Sequence, residues 1–592
     1  EYAASEVPVL LIQGSGTLNV NGQIRRSVSV LLGSLDYTQK NNSTVLVRGK
    51  NQESASSFNL NRAKFEVLNP GSQFTMQDNA LLIIDRNGLA SGGFGDFYLN
   101  PSSYAVTGGE IRFGTSDTPP SASESTFLIN TSTPFWNLTV DGTTTNKTAR
   151  LTSDAATIKS NLSILGGSVF DANGLNVNIA GNLLNQNTSS AAGVTLGGYR
   201  PGSVTQITTL NGTSASQQIT GITGNLTNFA NLIVDNTFGG GSVNLQTNTA
   251  IRVNADLNIL NGTFSTAANL ATVTGNIINN QTHTSSGAGY LVLGGTSGQN
   301  INGNGSGIFG NVRMSNAAGV DLQTAATING DLNFVSGLLY INNNQLTLGT
   351  TSTVTGTLNA NSMIRLNGVT SDGGVRKLYP ASASDFTFPV GVTLKYTPAR
   401  INVTSNSVAG SVTMKLGNVK HPATTDPLDK ELTYYWNVTS TGFNPATVVT
   451  HTYNYLQTDA INGVEANYRT GRYVNNVWSP QFGIASTVNA ASNTMTLTGV
   501  NYFDGDFTAG EQTEFDQLLV FYSRNATLGG NWNDVNSWST DAILMHAGAP
   551  AATAPSFNSV VIASGHTITG TTDNISAPTA IIRSEEHTSE LQ

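Results

Sequence analysis

Short runs with an apolar residue at every second position fill the chain. LLIQGSGTLNVNGQI, TVLVRGK, AKFEVLN, SQFTMQD and ALLIIDRNG, all within residues 1–130, end in Asn, Gly or Asp. A period of two predicts strands, with one set of side chains facing inward and the other outward. Gly and Asn at the ends tolerate the left-handed backbone of tight corners. Long helical patterns of Ala, Glu, Lys, Leu and Arg do not occur, so the pattern predicts an all-β protein.

The alternation is itself repeated. FWNLTVDG starts at Phe135, FANLIVDN at Phe229 and FGNVRMSN at Phe309, which are 94 and 80 residues apart. Each leads into a matched second phrase containing NLSILGGSV, DLNILNGTF or DLNFVSGLL. VTGGEIRFGT, from Val106, reads as part of an earlier block. A short strand-and-turn unit cannot bury its apolar face alone, so such units must stack. The pattern predicts a parallel β-helix solenoid over residues 1–370, taken as right-handed, with coils of about 22 residues. Its interior is greasy, and the Phe-led phrases are successive rungs of one ladder. Recurring Asn would stack as amide ladders along the axis. A string of small antiparallel sandwiches is the rival architecture.

The text changes near Val375. Aromatics become denser (Tyr434, Tyr435, Trp436, Tyr453, Tyr455, Tyr468, Tyr473, Trp478), and the repeat phrase is lost. Residues 375–512 read as a β-sandwich module. A third text, FYSRNATLGGNWNDVNSWST followed by SVVIASGHTITG, reads as the start of a second solenoid over 517–582. There Trp532 and Trp538 would cover the open end of the first coil. The last ten residues, RSEEHTSELQ (583–592), read as a translated sequencing adapter, and the chain as a fragment of a longer one.

Composition narrows the function. Charged residues are 11% of the 592, against about 25% in ordinary globular proteins. Net charge is −9, and it stays negative without the last ten residues. No basic stripe occurs, which argues against nucleic acid and anionic membranes as partners. There is no Cys, so disulfides and thiolate metal sites are excluded. No apolar run is long enough for a membrane-spanning helix.

SSYAVTGGEIRFGT, TPFWNLTVDG, DFTFPVGVTLKYTPARI, LTYYWNVTS, FDGDFTAGE and FYSRNATLGGNWNDVNSWS, in that order, resemble large secreted, repeat-containing surface proteins of Bacteroidetes-type bacteria. The resemblance implies β-helical repeats alternating with sandwich modules, and export by type IX secretion to the cell surface or beyond. It carries over no catalytic residue.

Three function classes follow. The first is a non-catalytic structural or adhesion protein, a stiff spacer carrying a sandwich module, with polysaccharide or other surface proteins as partners. The second is a polysaccharide lyase or glycoside hydrolase on the β-helix. Hydrolysis needs paired carboxylates, and the coil offers mostly solitary ones: Asp85, Asp96, Glu110, Asp235 and Asp321. Asp235, like Asp141, reads as a turn residue. The third is a glycan-binding sandwich. Its aromatics read mainly as core, with Tyr434 and Trp436 on one side of their strand and Tyr435 on the other. Two acidic clusters are candidate calcium ligands: Asp426, Asp429 and Glu431, and Asp504, Asp506 and Glu511. The GGG at 239–241 lacks the Lys and helix of a phosphate loop and reads as a coil corner.

Overall fold

A computed structural model describes residues 7–26, 33–48, 63–86, 96–115, 126–143, 146–424, 428–480 and 486–515, with short stretches between 521 and 569. The described residues form strands and a few 3-10 turns. None of them forms a helix long and apolar enough to cross a membrane. The chain divides into two compact units. One comprises Glu1–Leu416, Thr439–Val449 and Asn501–Phe503; the other comprises Gly417–Val438, Thr450–Val500 and Asp504–Gln592.

The first unit is the predicted parallel coil. From Ala156–Ile158 onward the chain visits three parallel sheets in strict rotation. The first face contains Asn137–Gly142, Leu162–Gly166 and Leu183–Asn185. The second runs through Thr148–Leu151 and Val169–Asp171. After Tyr199–Arg200 it is taken over by a sheet beginning at Leu226–Phe229. The third holds Ala156–Ile158, Val177–Ile179 and Ile207–Leu210. One turn takes 19 residues from Phe264 to His283 and 36 from Leu183 to Ile219.

Parallel register makes each inward residue stand on its counterpart one coil below. Leu232, Leu257, Ile277, Ile301 and Leu322 form such a row on the third face. Ile251, Ala271, Leu291, Val312 and Leu332 form another on the second. All ten are buried. Burying one Leu or Ile side chain is worth about 1.5–3 kcal/mol, so a row of them ties successive coils together.

The Phe-led phrases lie in this one coil but on different faces. Asn137–Gly142 is on the first face, Asn231–Asp235 on the third and Val312–Ser315 on the second. Eleven strand steps separate the first from the second of these, and eleven the second from the third. Eleven is not a multiple of three, so each block enters the coil one face displaced. The expectation of stacked, equivalent rungs is corrected accordingly: neighbours in a ladder come from different places in a block.

Asn ladders exist in a different form from the amide stacks expected. The Asn that opens each phrase accepts, through Oδ1, the backbone N–H of the residue one coil on. Asn137 accepts from Asn161 (3.1 Å), Asn161 from Asn182 (2.8 Å) and Asn182 from Gln218 (2.8 Å). Asn231 accepts from Asp256 (3.2 Å), Asp256 from Asn276 (2.7 Å) and Asn276 from Asn300 (2.9 Å). Asn311 accepts from Asp331 (2.9 Å). Each bond supplies an acceptor to an N–H at a corner, where the strand ladder is just beginning.

The change of text near Val375 coincides with a change of partner. Val375–Tyr379 pairs parallel with Leu346–Leu348 and antiparallel with Gly410–Gly417. Lys377 stands in register with the fully buried Leu348, so the interior row ends on a lysine. Its Nζ donates to the carbonyls of Gly349 (2.5 Å), Thr350 (3.1 Å) and Ser352 (2.9 Å), and it lies 4.8 Å from the centre of the Phe386 ring. Burial pulls the ammonium down to about 8. The lysine gathers the carbonyls of the turn at 349–352. Lys377→Met keeps the stem and removes the shared donor, leaving the Gly349 carbonyl its bonds from the Ser352 N–H (3.1 Å) and hydroxyl (2.8 Å); it should lower stability by about 2 kcal/mol in a urea titration.

In the second unit, Arg469–Val474 pairs antiparallel with Val477–Pro480 and with Gly505–Gly510. Ser486–Asn489 and Thr494–Val500 form a hairpin. Past residue 520, Phe521–Ser523 pairs parallel with Val560–Val561, and Gly530–Asn531 with Ile568–Thr569. Phe521, Trp532, Trp538 and Val560 share a small core. Residues 583–592 lie outside the described residues.

Candidate functional site

The two acidic clusters are recombined by strand pairing. Residues 430–432 run antiparallel to 509–511: the Leu432 N–H donates to the Ala509 carbonyl (2.8 Å) and the Glu511 N–H to the Lys430 carbonyl (2.9 Å). Glu431 of one cluster is therefore set beside the Glu511 end of the other. Glu431 is buried; its Oε1 accepts from the Thr424 hydroxyl (2.5 Å) and lies 3.5 Å from Lys420 Nζ. Burial, and then the neighbouring Glu514 carboxylate, push its carboxyl up to about 8. Asp429 pairs with Lys420. Glu511 accepts from the Val464 N–H (2.7 Å) and lies 3.5 Å from Lys430 Nζ.

Asp506 goes elsewhere. It accepts from His421 Nε2 (3.0 Å) and Asn437 Nδ2 (2.5 Å). His421 Nδ1 accepts the Ala423 N–H (3.2 Å), which puts the ring proton on Nε2. The imidazole is buried among Tyr435, Trp478 and Tyr473, with ring centres 4.7, 4.8 and 4.9 Å away. Asp504 contributes its backbone oxygen to Arg472 Nε (2.7 Å). Asp426 lies outside the described residues. Among the described residues, no group of three or more His, Cys, Asp or Glu is placed to hold a metal ion.

The coil carboxylates are tied to neighbours two residues along the chain or one coil away. Asp85 accepts from the Thr115 hydroxyl (2.7 Å), and Asp96 from the Leu128 N–H (2.7 Å). Glu110 holds Arg112 (2.8 Å), which also approaches Asp141 (3.8 Å). Asp235 accepts from Asn261 (2.7 Å) and Asp321 from Asn342 (3.2 Å). Asp141 closes the expected turn, accepting the Thr143 N–H (3.2 Å).

The aromatics around Trp436 are core on both sides of their strand. Tyr434, Tyr435, Trp436, Tyr453, Tyr455, Tyr468 and Trp478 are all buried. Trp436 meets Tyr434 at 5.1 Å and Tyr453 at 5.0 Å, distances typical of aromatic packing.

One open groove of about 410 Å³ lies at the coil corner after Asn231–Asp235. Its side walls carry Phe238, Asn261 and Gln281, with Thr237, Thr263 and Thr282 between them. Gly240, Gly241 and Gly262 line it as well. A Cβ on Gly262 would stand 2.7 Å from the Asn236 carbonyl oxygen, so the groove lining is bare backbone there by necessity. The GGG run is a corner, as its sequence predicts. The aromatic beside it, Phe238, carries no periodic signal in the sequence; only its place directly before the triplet marks it.

Scans against protein-family models, curated proteins and solved structures each return no match.

Proposed function

We propose that the protein is a non-catalytic structural or adhesive component of a bacterial cell surface, in which the coil serves as a stiff spacer. The observation that carries this reading is the corner construction. Each coil is fixed to the next by inward apolar rows and by side-chain-to-backbone Asn bonds, on one face after another. Such a lattice resists bending in every direction, which a spacer requires and a catalytic scaffold does not. The engagement of Asp85, Glu110, Asp235 and Asp321 by neighbouring groups supports the same reading. Export and surface placement follow from the resemblance of the repeat and sandwich phrases to type IX-secreted surface proteins.

The test is turnover. The full chain, incubated with a panel of neutral and uronic polysaccharides, should release neither reducing ends nor unsaturated products. Release that disappears in Asp85→Asn or Glu110→Gln would replace this reading with a carbohydrate-active enzyme.

A further inference from the structure

We propose that the corner groove at Phe238 binds a neutral polysaccharide, with the Phe238 ring as the stacking platform and the Gln281 and Asn261 amides as hydroxyl partners. This names a ligand for the adhesive reading above and rests on it.

The groove differs from a plain turn in its aromatic. The same corner recurs one block later, almost bond for bond. Asn236 donates to the Ala215 carbonyl (2.9 Å) and to Gln217 Oε1 (3.2 Å); Asn316 donates to the Ser297 carbonyl (2.7 Å) and to Gln299 Oε1 (2.9 Å). Asn236 Oδ1 accepts the N–H of Phe238 (3.2 Å), and Asn316 Oδ1 that of Ala318 (2.9 Å). The turn therefore closes as well around an alanine. A phenylalanine in that place is 43% exposed, whereas Phe229, Phe264 and Phe309 are buried in the interior. Its ring is not needed by the fold.

The chemistry of the walls selects the ligand class. Every side chain lining the groove is uncharged: amides, hydroxyls and one aromatic ring. Sugar rings offer an apolar C–H face for the ring and hydroxyls for the amides, and an aromatic with an apolar body suits the first of these. The volume falls within the range of small-ligand sites, about 300–1,000 Å³. The groove is open, so a chain longer than the site can lie across it. Uronate or sulfated chains find no cation in the walls and are expected to bind less well than neutral ones.

The experiment uses the full chain and short neutral oligomers of glucose, mannose, galactose, xylose and N-acetylglucosamine, titrated by calorimetry, with oligogalacturonate as the charged comparison. At least one neutral oligomer should saturate a single site. Phe238→Ala should weaken it about tenfold, as loss of an aromatic anchor does, and Gln281→Ala by a smaller factor. Neither variant should move the melting temperature, because both side chains are exposed. Three outcomes would overturn the proposal: no binding by any neutral oligomer, equal binding by both variants, or tighter binding of oligogalacturonate. None of them produces polysaccharide turnover, so a failed groove is distinguishable from a failed spacer reading.

Discussion

Falling pH should destabilise the coil, and rising pH the second unit, each through one buried group. In the coil, His283 occupies an interior position between Phe264 and Phe309, with ring centres 6.0 and 6.5 Å away. Its Nδ1 accepts the Gly310 N–H (3.2 Å) and its Nε2 faces the Thr266 hydroxyl (3.1 Å). The neutral ring satisfies both contacts; a second proton would oppose the Gly310 N–H. Burial lowers the imidazole from 6.5 to about 3. Between those values the unfolded chain holds a proton that the folded coil does not, so stability falls as pH falls from 6.5 toward 3. The loss is on the order of 5 kcal/mol by the time both values are passed.

Glu431 works in the opposite sense. Its carboxyl is raised from 4.5 to about 8, so between those values the folded unit holds the extra proton. Its stabilising effect is complete below 4.5 and is lost as pH rises through 8, again on the order of 5 kcal/mol. His283→Phe and Glu431→Gln each remove one of these slopes. Urea titrations from pH 3 to 9 should show a flatter slope between 3 and 6.5 in the first variant and between 4.5 and 8 in the second. Wild-type slopes retained in both variants would assign the pH response to other groups.

The coil was legible because period two and Gly or Asn punctuation are local signals. Thr282, His283 and Thr284 even show the parity that turns the histidine inward, since His283 stands in register with Phe264. What a linear repeat cannot show is how many strands make a coil. Three faces and an eleven-strand block meet only in space, so the Phe-led phrases looked like rungs and proved to be rotated copies. The spatial partners of the acidic residues are hidden in the sequence for a related reason. Pairing of 430–432 with 509–511 sets Glu431 opposite Gly510, with Glu514 as its acidic neighbour, while the pairing of Asn437 with Asp506 delivers Asp506 to His421. Lys377 gave no signal, because a basic residue in a strand reads as outward until the turn of 349–352 is placed over it.

The buried glutamine of the repeated corner should be the most sensitive side chain of the coil. GTSASQQITG and GTSGQNINGN, spanning 212–221 and 295–304, place Gln217 and Gln299 at matching corners. Gln299 is buried and has every polar atom engaged. Its Nε2 donates to the carbonyls of Val273 (3.1 Å) and Gly275 (2.5 Å), on the coil below. Its Oε1 accepts the Gly295 N–H (2.8 Å) and Asn316 Nδ2 (2.9 Å), the latter one coil on. One amide thus joins three levels of the coil. Gln299→Leu matches the volume but leaves the Gly275 carbonyl and the Gly295 N–H without partners inside the corner, and takes one bond each from the Val273 carbonyl, which keeps the Gly294 N–H (2.9 Å), and from Asn316 Nδ2, which keeps the Ser297 carbonyl (2.7 Å). At about 1–3 kcal/mol for each of the two buried groups left unpaired, less whatever water recovers, the variant should lose roughly 2–4 kcal/mol. Asn316→Ala removes one of the same bonds and should cost less. Because the two residues share that bond, the double variant should lose less than the two single losses added together. Urea titration of the three variants measures all of this. A Gln299→Leu loss under about 1 kcal/mol would mean that water enters the corner and that the amide is not the joint between coils.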